Sequence, residues 1–133
     1  MSVEIVENKY SDFEKNIFNI VKEFASKHNL YARLTWLNTI VLYKSRVSAI
    51  IDRIVGTIEA GLTMSTDMTS KLLKIAEIRL PDSIPVYDFE HEYILIYVYK
   101  EEYIELVKEL ANKIDEYVSK NYKNIGIKIL KEF

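Results

Sequence analysis

Asp88, Glu90 and Glu92 alternate along the chain, with His91 between the last two. On an extended backbone alternate residues point the same way, so three carboxylates would converge on one side and His91 would face the other. Converging carboxylates hold Mg²⁺ or Mn²⁺ for phosphodiester chemistry. The competing reading is a solvated strand end whose charge discourages edge-to-edge pairing. That reading is preferred, which leaves Asp88, Glu90 and Glu92 as weak metal candidates and no metal site or cofactor expected. Pro81-Asp82 followed by Lys100 supplies part of a nuclease motif, but Val98 stands where the second metal-binding acid belongs.

Other reaction chemistries lack their parts. The two histidines, His28 and His91, are far apart in sequence. His28 falls at the end of a helical segment, where a cation suits the helix dipole. No G-x-S-x-G elbow is present to expose a nucleophilic serine. Three glycines, Gly56, Gly61 and Gly126, form neither a phosphate loop nor a dinucleotide fingerprint. Without cysteine there is no thiolate metal site and no disulfide framework. The expectation is a protein that is not an enzyme.

Tyrosine is the unusual residue, with ten in 133. Three fall in the run Tyr93-Ile94-Leu95-Ile96-Tyr97-Val98-Tyr99, whose length and β-branched, aromatic content predict a strand. Ile94, Ile96 and Val98 then share one face, and Tyr93, Leu95, Tyr97 and Tyr99 the other. If helices cover only the isoleucine face, the rings lie open. Tyr31, Arg33, Thr35 and Lys128 would join them. Such a face can meet a copy of itself, since tyrosine favours interfaces, or can stack single-stranded bases. The bland alternative is that a helix covers it.

The elements that would position this face follow from periodicity. Tyr103, Val107, Leu110, Ile114, Tyr117 and Val118 make one stripe of a helix over 101–121. Ile125, Ile127 and Ile129 alternate with Gly126 and Lys128 as a half-buried strand. Residues 92–130 therefore read strand, helix, strand. Upstream, 3–7 suits a short edge strand, and Phe13, Ile17, Ile20, Val21 and Phe24 mark a helix ending near His28. Residues 30–62 fit either one long helix or a strand within 34–43 followed by a helix over 46–60. The second is favoured, with Ser45 as cap, Gly61 beyond the end, and a stripe of Val47, Ile50, Ile51, Ile54, Val55 and Ile58. A weak likeness between 23–27 and 116–120 supports the strand. Ser65, Thr66 or Asp67 caps a third helix, 66–79, which must end before Pro81.

The chain has the length of one domain, 1–133, with a core that needs no staples. Apolar residues at 49% and charged residues at 29% are those of a soluble globular protein. A net charge of −2 argues against a general phosphate-backbone binder. No apolar run is long enough to span a membrane, and the N-terminal residues are not a signal peptide, so a cytoplasmic location is expected. Abundant Lys, Glu and Ile with no Gln or Cys is a bias like that of hyperthermophile proteins. Low-GC codon usage gives a similar bias. A thermophilic archaeon, or a virus or plasmid of one, is the source this suggests.

Together these features predict an α+β domain. It would have a sheet of three or four strands with helices mainly on one face, in a split β-α-β arrangement of ferredoxin-like type elaborated by two central helices. A mostly helical protein with one C-terminal β-α-β unit is the runner-up. The expected role is a non-enzymatic module that forms a homodimer through Tyr93, Tyr97, Tyr99, Tyr31 and Arg33. Single-strand nucleic-acid binding on the same face is the alternative, and a metal-dependent nuclease a distant third.

Overall fold

The computed structural model describes residues 3, 9–35, 38–59 and 71–133. Five strands form one mixed sheet in chain order: β1 (Tyr31–Leu34), β2 (Thr39–Tyr43), β3 (Lys74–Arg79), β4 (Glu92–Val98) and β5 (Ile125–Lys131). The first four pair antiparallel, and β4 and β5 pair parallel. Three helices lie wholly within the described residues, α1 (Lys9–Lys27), α2 (Arg46–Glu59) and α3 (Ile104–Asn121), the last entered through a 3₁₀ turn at Glu101–Tyr103; residues 71–73 are also helical, just ahead of β3.

Register decides which residues share a face. Ala32, Leu42, Ala76 and Val98 form one row across β1 to β4, and Leu34, Ile40, Ile78, Ile96 and Ile129 another. Both rows point toward α1 and α3. Phe13, Ile17, Val21 and Phe24 of α1 and Val107, Leu110, Ile114 and Val118 of α3 close over them as the main core. The six isoleucine and valine positions expected on one face, Ile94, Ile96, Val98, Ile125, Ile127 and Ile129, all belong to this core or pack against it.

Local chemistry sets the chain's turning points. Leu30 N donates to Ala25 O and Asn29 N to Ser26 O, closing α1 with the paired bonds of a Schellman motif. Asn29 takes φ 54° there, a conformation asparagine tolerates better than most residues. Asn38 turns the β1–β2 hairpin at φ 56°, where Thr35 N and Oγ1 both donate to Thr39 O. Asn124, at φ 59°, leads into β5. Ser45 Oγ accepts from Ser48 N and caps α2, as expected.

The α+β class holds, and three expectations are corrected. First, the sheet has five strands rather than three or four. Residues 30–44 fold as two strands instead of one; of the helix expected over 66–79, residues 71–73 are helical and 74–79 are strand β3 instead, while 66–70 lie outside the described residues. Leu72, Leu73, Ile75 and Ala76 fit a helical stripe, but Glu77 and Arg79 alternating with Ala76 and Ile78 fit a strand laddered on both sides. Second, the split β-α-β order is not found. β4 and β5 are direct neighbours, with no strand between them as a split unit requires. Third, α1 and α3 share one face, in keeping with helices mainly on one side, but the tyrosine side is not left bare, because α2 crosses it over β1 and β2. Residues 4–7 of the expected edge strand at 3–7, the caps at 65–67 and Gly61 lie outside the described residues. No helix among the described residues is long and apolar enough to cross a membrane.

Candidate interaction surface on the open half of the sheet

The face opposite α1 and α3 is divided. Tyr31, Arg33, Val41 and Tyr43 occupy its β1–β2 half, where Val41 and Tyr43 pack against Ala49 of α2. Arg33 Nη2 donates to the Tyr43 hydroxyl at 3.2 Å, and that hydroxyl donates to Asp52 Oδ2 at 2.5 Å. Burial, reinforced by the Asp52 hydrogen bond, pushes the Tyr43 hydroxyl well above its usual pKa. Tyr31 and Arg33 therefore belong to the covered half and are not brought next to Tyr93 and Tyr97. β1 and β4 stand three strand spacings, about 14 Å, apart.

The β3–β5 half has none of α1, α2 and α3 over it; Tyr93 is exposed there and Leu95, Tyr97 and Leu130 are half-buried. Tyr93, Leu95 and Tyr97 of β4 lie beside Arg79 and Glu77 of β3 and Lys128 and Leu130 of β5. Each tyrosine has a cation over its ring. Lys128 Nζ lies 4.0 Å from the Tyr93 centroid, the Arg79 guanidinium 4.4 Å from that of Tyr97, and Lys71 Nζ 6.0 Å from that of Tyr99. Gly126 sits directly beside Tyr93 in the parallel register, and its lack of a side chain lets the ring lie down on β5.

A shallow cleft of about 330 Å³ opens where Lys74, Glu77, Arg79, Tyr97 and Tyr99 meet. Glu77 is buried and satisfied from two sides. Lys74 Nζ donates to its Oε1 at 2.7 Å and Arg79 Nη2 to its Oε2 at 3.4 Å. Lys74 also reaches Asp52 at 4.0 Å, linking β3 to α2. Burial and Glu77 together hold the Tyr99 hydroxyl protonated far above its ordinary range. Such a cluster, with Glu77 ion-paired on both oxygens and Tyr99 held protonated, offers hydrogen bonds and aromatic rings.

The feature sequence reasoning missed is the orientation of α2. Ala49 and Asp52 face the sheet, while Val47, Ile50, Ile51 and Ile54 are 63, 48, 43 and 53% exposed. Four of the six residues of the apolar stripe therefore point outward, and Val55 is half-buried. Asp52 explains why, since its bonds to Tyr43 and Lys74 tie the polar side of the helix to the sheet. The missed residues of the open half, Lys74, Glu77 and Arg79, are those assigned to a helix. Their alternation with Ala76 and Ile78 was the available signal.

The acidic candidates separate. Residues 87–90 form a turn closed by Glu90 N donating to Tyr87 O, so Asp88 and Glu90 do not alternate along a strand with Glu92. Glu90 Oε2 accepts from Val86 N instead. Among the described residues no three His, Cys, Asp or Glu side chains are grouped to hold a metal ion. His28 lies against the Phe24 ring at 4.4 Å.

No protein-family model matches the chain, and neither does any curated protein or solved structure.

Proposed function

We propose that the protein is a non-enzymatic module that associates with itself, as a homodimer, through the open, tyrosine-bearing half of its sheet. One observation supports this above the rest. The face opposite α1 and α3 is roofed by α2 over β1–β2 only, leaving Tyr93, Leu95, Tyr97 and Leu130 outside any helix among the described residues. Rings and leucines on a flat three-strand surface are the kind of patch a second chain buries, and tyrosine is enriched at such contacts. Light scattering at micromolar concentration tests the proposal. It is expected to give about twice the chain mass, and Tyr97→Asp is expected to give a folded monomer. A wild-type monomer that Tyr97→Asp unfolds would overturn it.

A second reading, single-strand nucleic-acid binding, draws on the three cation–tyrosine pairs. Cations held beside stacking rings are the ingredients of a strand-binding face. Four cations, Lys71, Lys74, Arg79 and Lys128, stand there against Glu77 and Glu132, on a chain whose net charge is −2. Salt separates the two readings. Oligonucleotide binding falls steeply as salt rises and is lost in Tyr97→Ala, whereas association between apolar and aromatic surfaces is not weakened.

A further inference from the structure

We infer that the element seated on the open half-sheet is α2 of a second copy, and that the seating is reciprocal. This rests on the self-association proposed above and adds which segment makes the contact.

Two surfaces on the same side of the sheet lack a cover among the described residues. One is convex: the Val47, Ile50, Ile51 and Ile54 stripe of α2, spaced i, i+3, i+4, i+7 along one side of the helix. The other is the β3–β5 half, bearing the exposed Tyr93 and the half-buried Leu95, Tyr97 and Leu130. Helices ordinarily put their apolar stripe on the sheet they cover. Here the polar side is anchored by Asp52 and the apolar side is turned away, which suits a helix that lies between two sheets. A two-fold axis running along the strands, midway across the sheet, sets two sheets face to face. It carries the α2 above one chain's β1–β2 half onto the other chain's β3–β5 half. Both α2 helices then share one layer, and all four surfaces are covered by one isologous contact.

The dimensions agree. Fourteen residues of helix extend about 21 Å and are about 10 Å across. Three strands present a seat about 14 Å wide and about 20 Å long. Each chain contributes one stripe and one seat, together about 490 Å² in plan before side-chain relief is counted. A standard interface takes roughly 800 Å² from each partner. Either surface alone falls well short of that. Arg46 and Arg53 flank the stripe, and the cations of the seat lie over their own tyrosine rings. The contact therefore gains nothing from ion pairing, and moderate salt leaves it intact or strengthens it.

The chain has no cysteine, so paired cysteines report the contact without background. Mild oxidation of Ile51→Cys mixed with Leu95→Cys is expected to give a covalent heterodimer, while Ile51→Cys alone stays uncrosslinked. Ile51→Asp and Ile50→Glu, at exposed positions, are expected to keep the wild-type circular dichroism and halve the mass seen by light scattering. Suppose wild type is dimeric and Tyr97→Asp dissociates it, but Ile51→Asp does not and no 51–95 link forms. The inference then fails while self-association stands. A 51–51 link would mean that α2 packs on α2 and would also overturn it. A monomeric wild type overturns both proposals. In that case pelleting with anionic phospholipid vesicles, lost in Ile51→Asp, would assign the stripe to a membrane surface.

Discussion

The Tyr43 hydroxyl donates to Asp52 Oδ2 across the contact between β2 and α2, with both side chains buried. This bond sets which way α2 faces. Asp52→Ala leaves a buried hydroxyl without its acceptor and frees Lys74 from one of its two acidic neighbours. The expected loss is about 1–3 kcal/mol in urea unfolding. Tyr43→Phe in the Asp52→Ala background should cost less than in wild type, because the bond between the two is already gone and only the Arg33 contact remains to be lost. Additive losses would show that the bond does not hold the helix.

Ile96→Ala tests the other face. Ile96 is fully buried between Ile78 and Ile129 in a row covered by α1 and α3. Removing a buried branched side chain there costs about 2–5 kcal/mol, through lost transfer energy and the cavity left behind. Urea unfolding showing a loss below about 0.5 kcal/mol would be incompatible with a close-packed site.

These two positions mark what the sequence could and could not disclose. Ile96 was legible because period-2 alternation assigns a residue to one face without knowledge of its neighbours. The same logic found α1, α3, β4 and β5, the tyrosine row and the Ser45 cap. β3 was not legible. Leu72, Leu73, Ile75 and Ala76 satisfy a helical period, and the strand is decided by ladders to β2 and β4 that are remote in sequence. The direction of α2 was not legible either. A hydrophobic stripe shows that a helix has an apolar side but not whether its own sheet or something else receives it. Asp52, an acid set between Ile51 and Arg53, was the one hint, and its partners Tyr43 and Lys74 become visible only once β2 and β3 are placed.

Tyrosine ionisation predicts the pH response. Burial, followed by the charges of Glu14 and Asp82, raises the Tyr10 hydroxyl from 10.0 to about 12. Tyr43, Tyr99 and Tyr122 are also raised, in each case mainly by burial. A raised pKa means the folded state holds these protons more tightly than the unfolded chain. The associated stability is complete below the unfolded value of 10.0 and drains away as pH rises through the folded values. Urea midpoints are expected to stay level from neutral pH until close to that point and then to fall, with tyrosinate absorbance rising in step. Full tyrosinate titration with no loss of fold would show that these hydroxyls are not held by the structure.

The last prediction concerns Gly126 and the ring lying on it. A Cβ built at Gly126 would come 2.8 and 2.9 Å from Cε1 and Cδ1 of Tyr93, closer than real Cβ atoms approach other carbons. The backbone itself is no obstacle, because no glycine among the described residues has a positive φ. Gly126→Ala therefore brings two opposed effects. It lowers the entropy of the unfolded chain, which stabilises a strand position by about 0.5–1 kcal/mol. It also pushes the Tyr93 ring off β5 and away from Lys128, whose Nζ lies 4.0 Å from the ring centroid. The ring is half exposed and can swing outward, so the net change in wild type should be near zero or mildly unfavourable. In a Tyr93→Ala background the obstruction is gone, and the same substitution should stabilise by the full entropic gain. The difference between the two backgrounds, read by thermal or urea unfolding, measures the contact. Equal effects in both would mean that Tyr93 does not rest on Gly126, and that the ring is not fixed in place on the open half of the sheet.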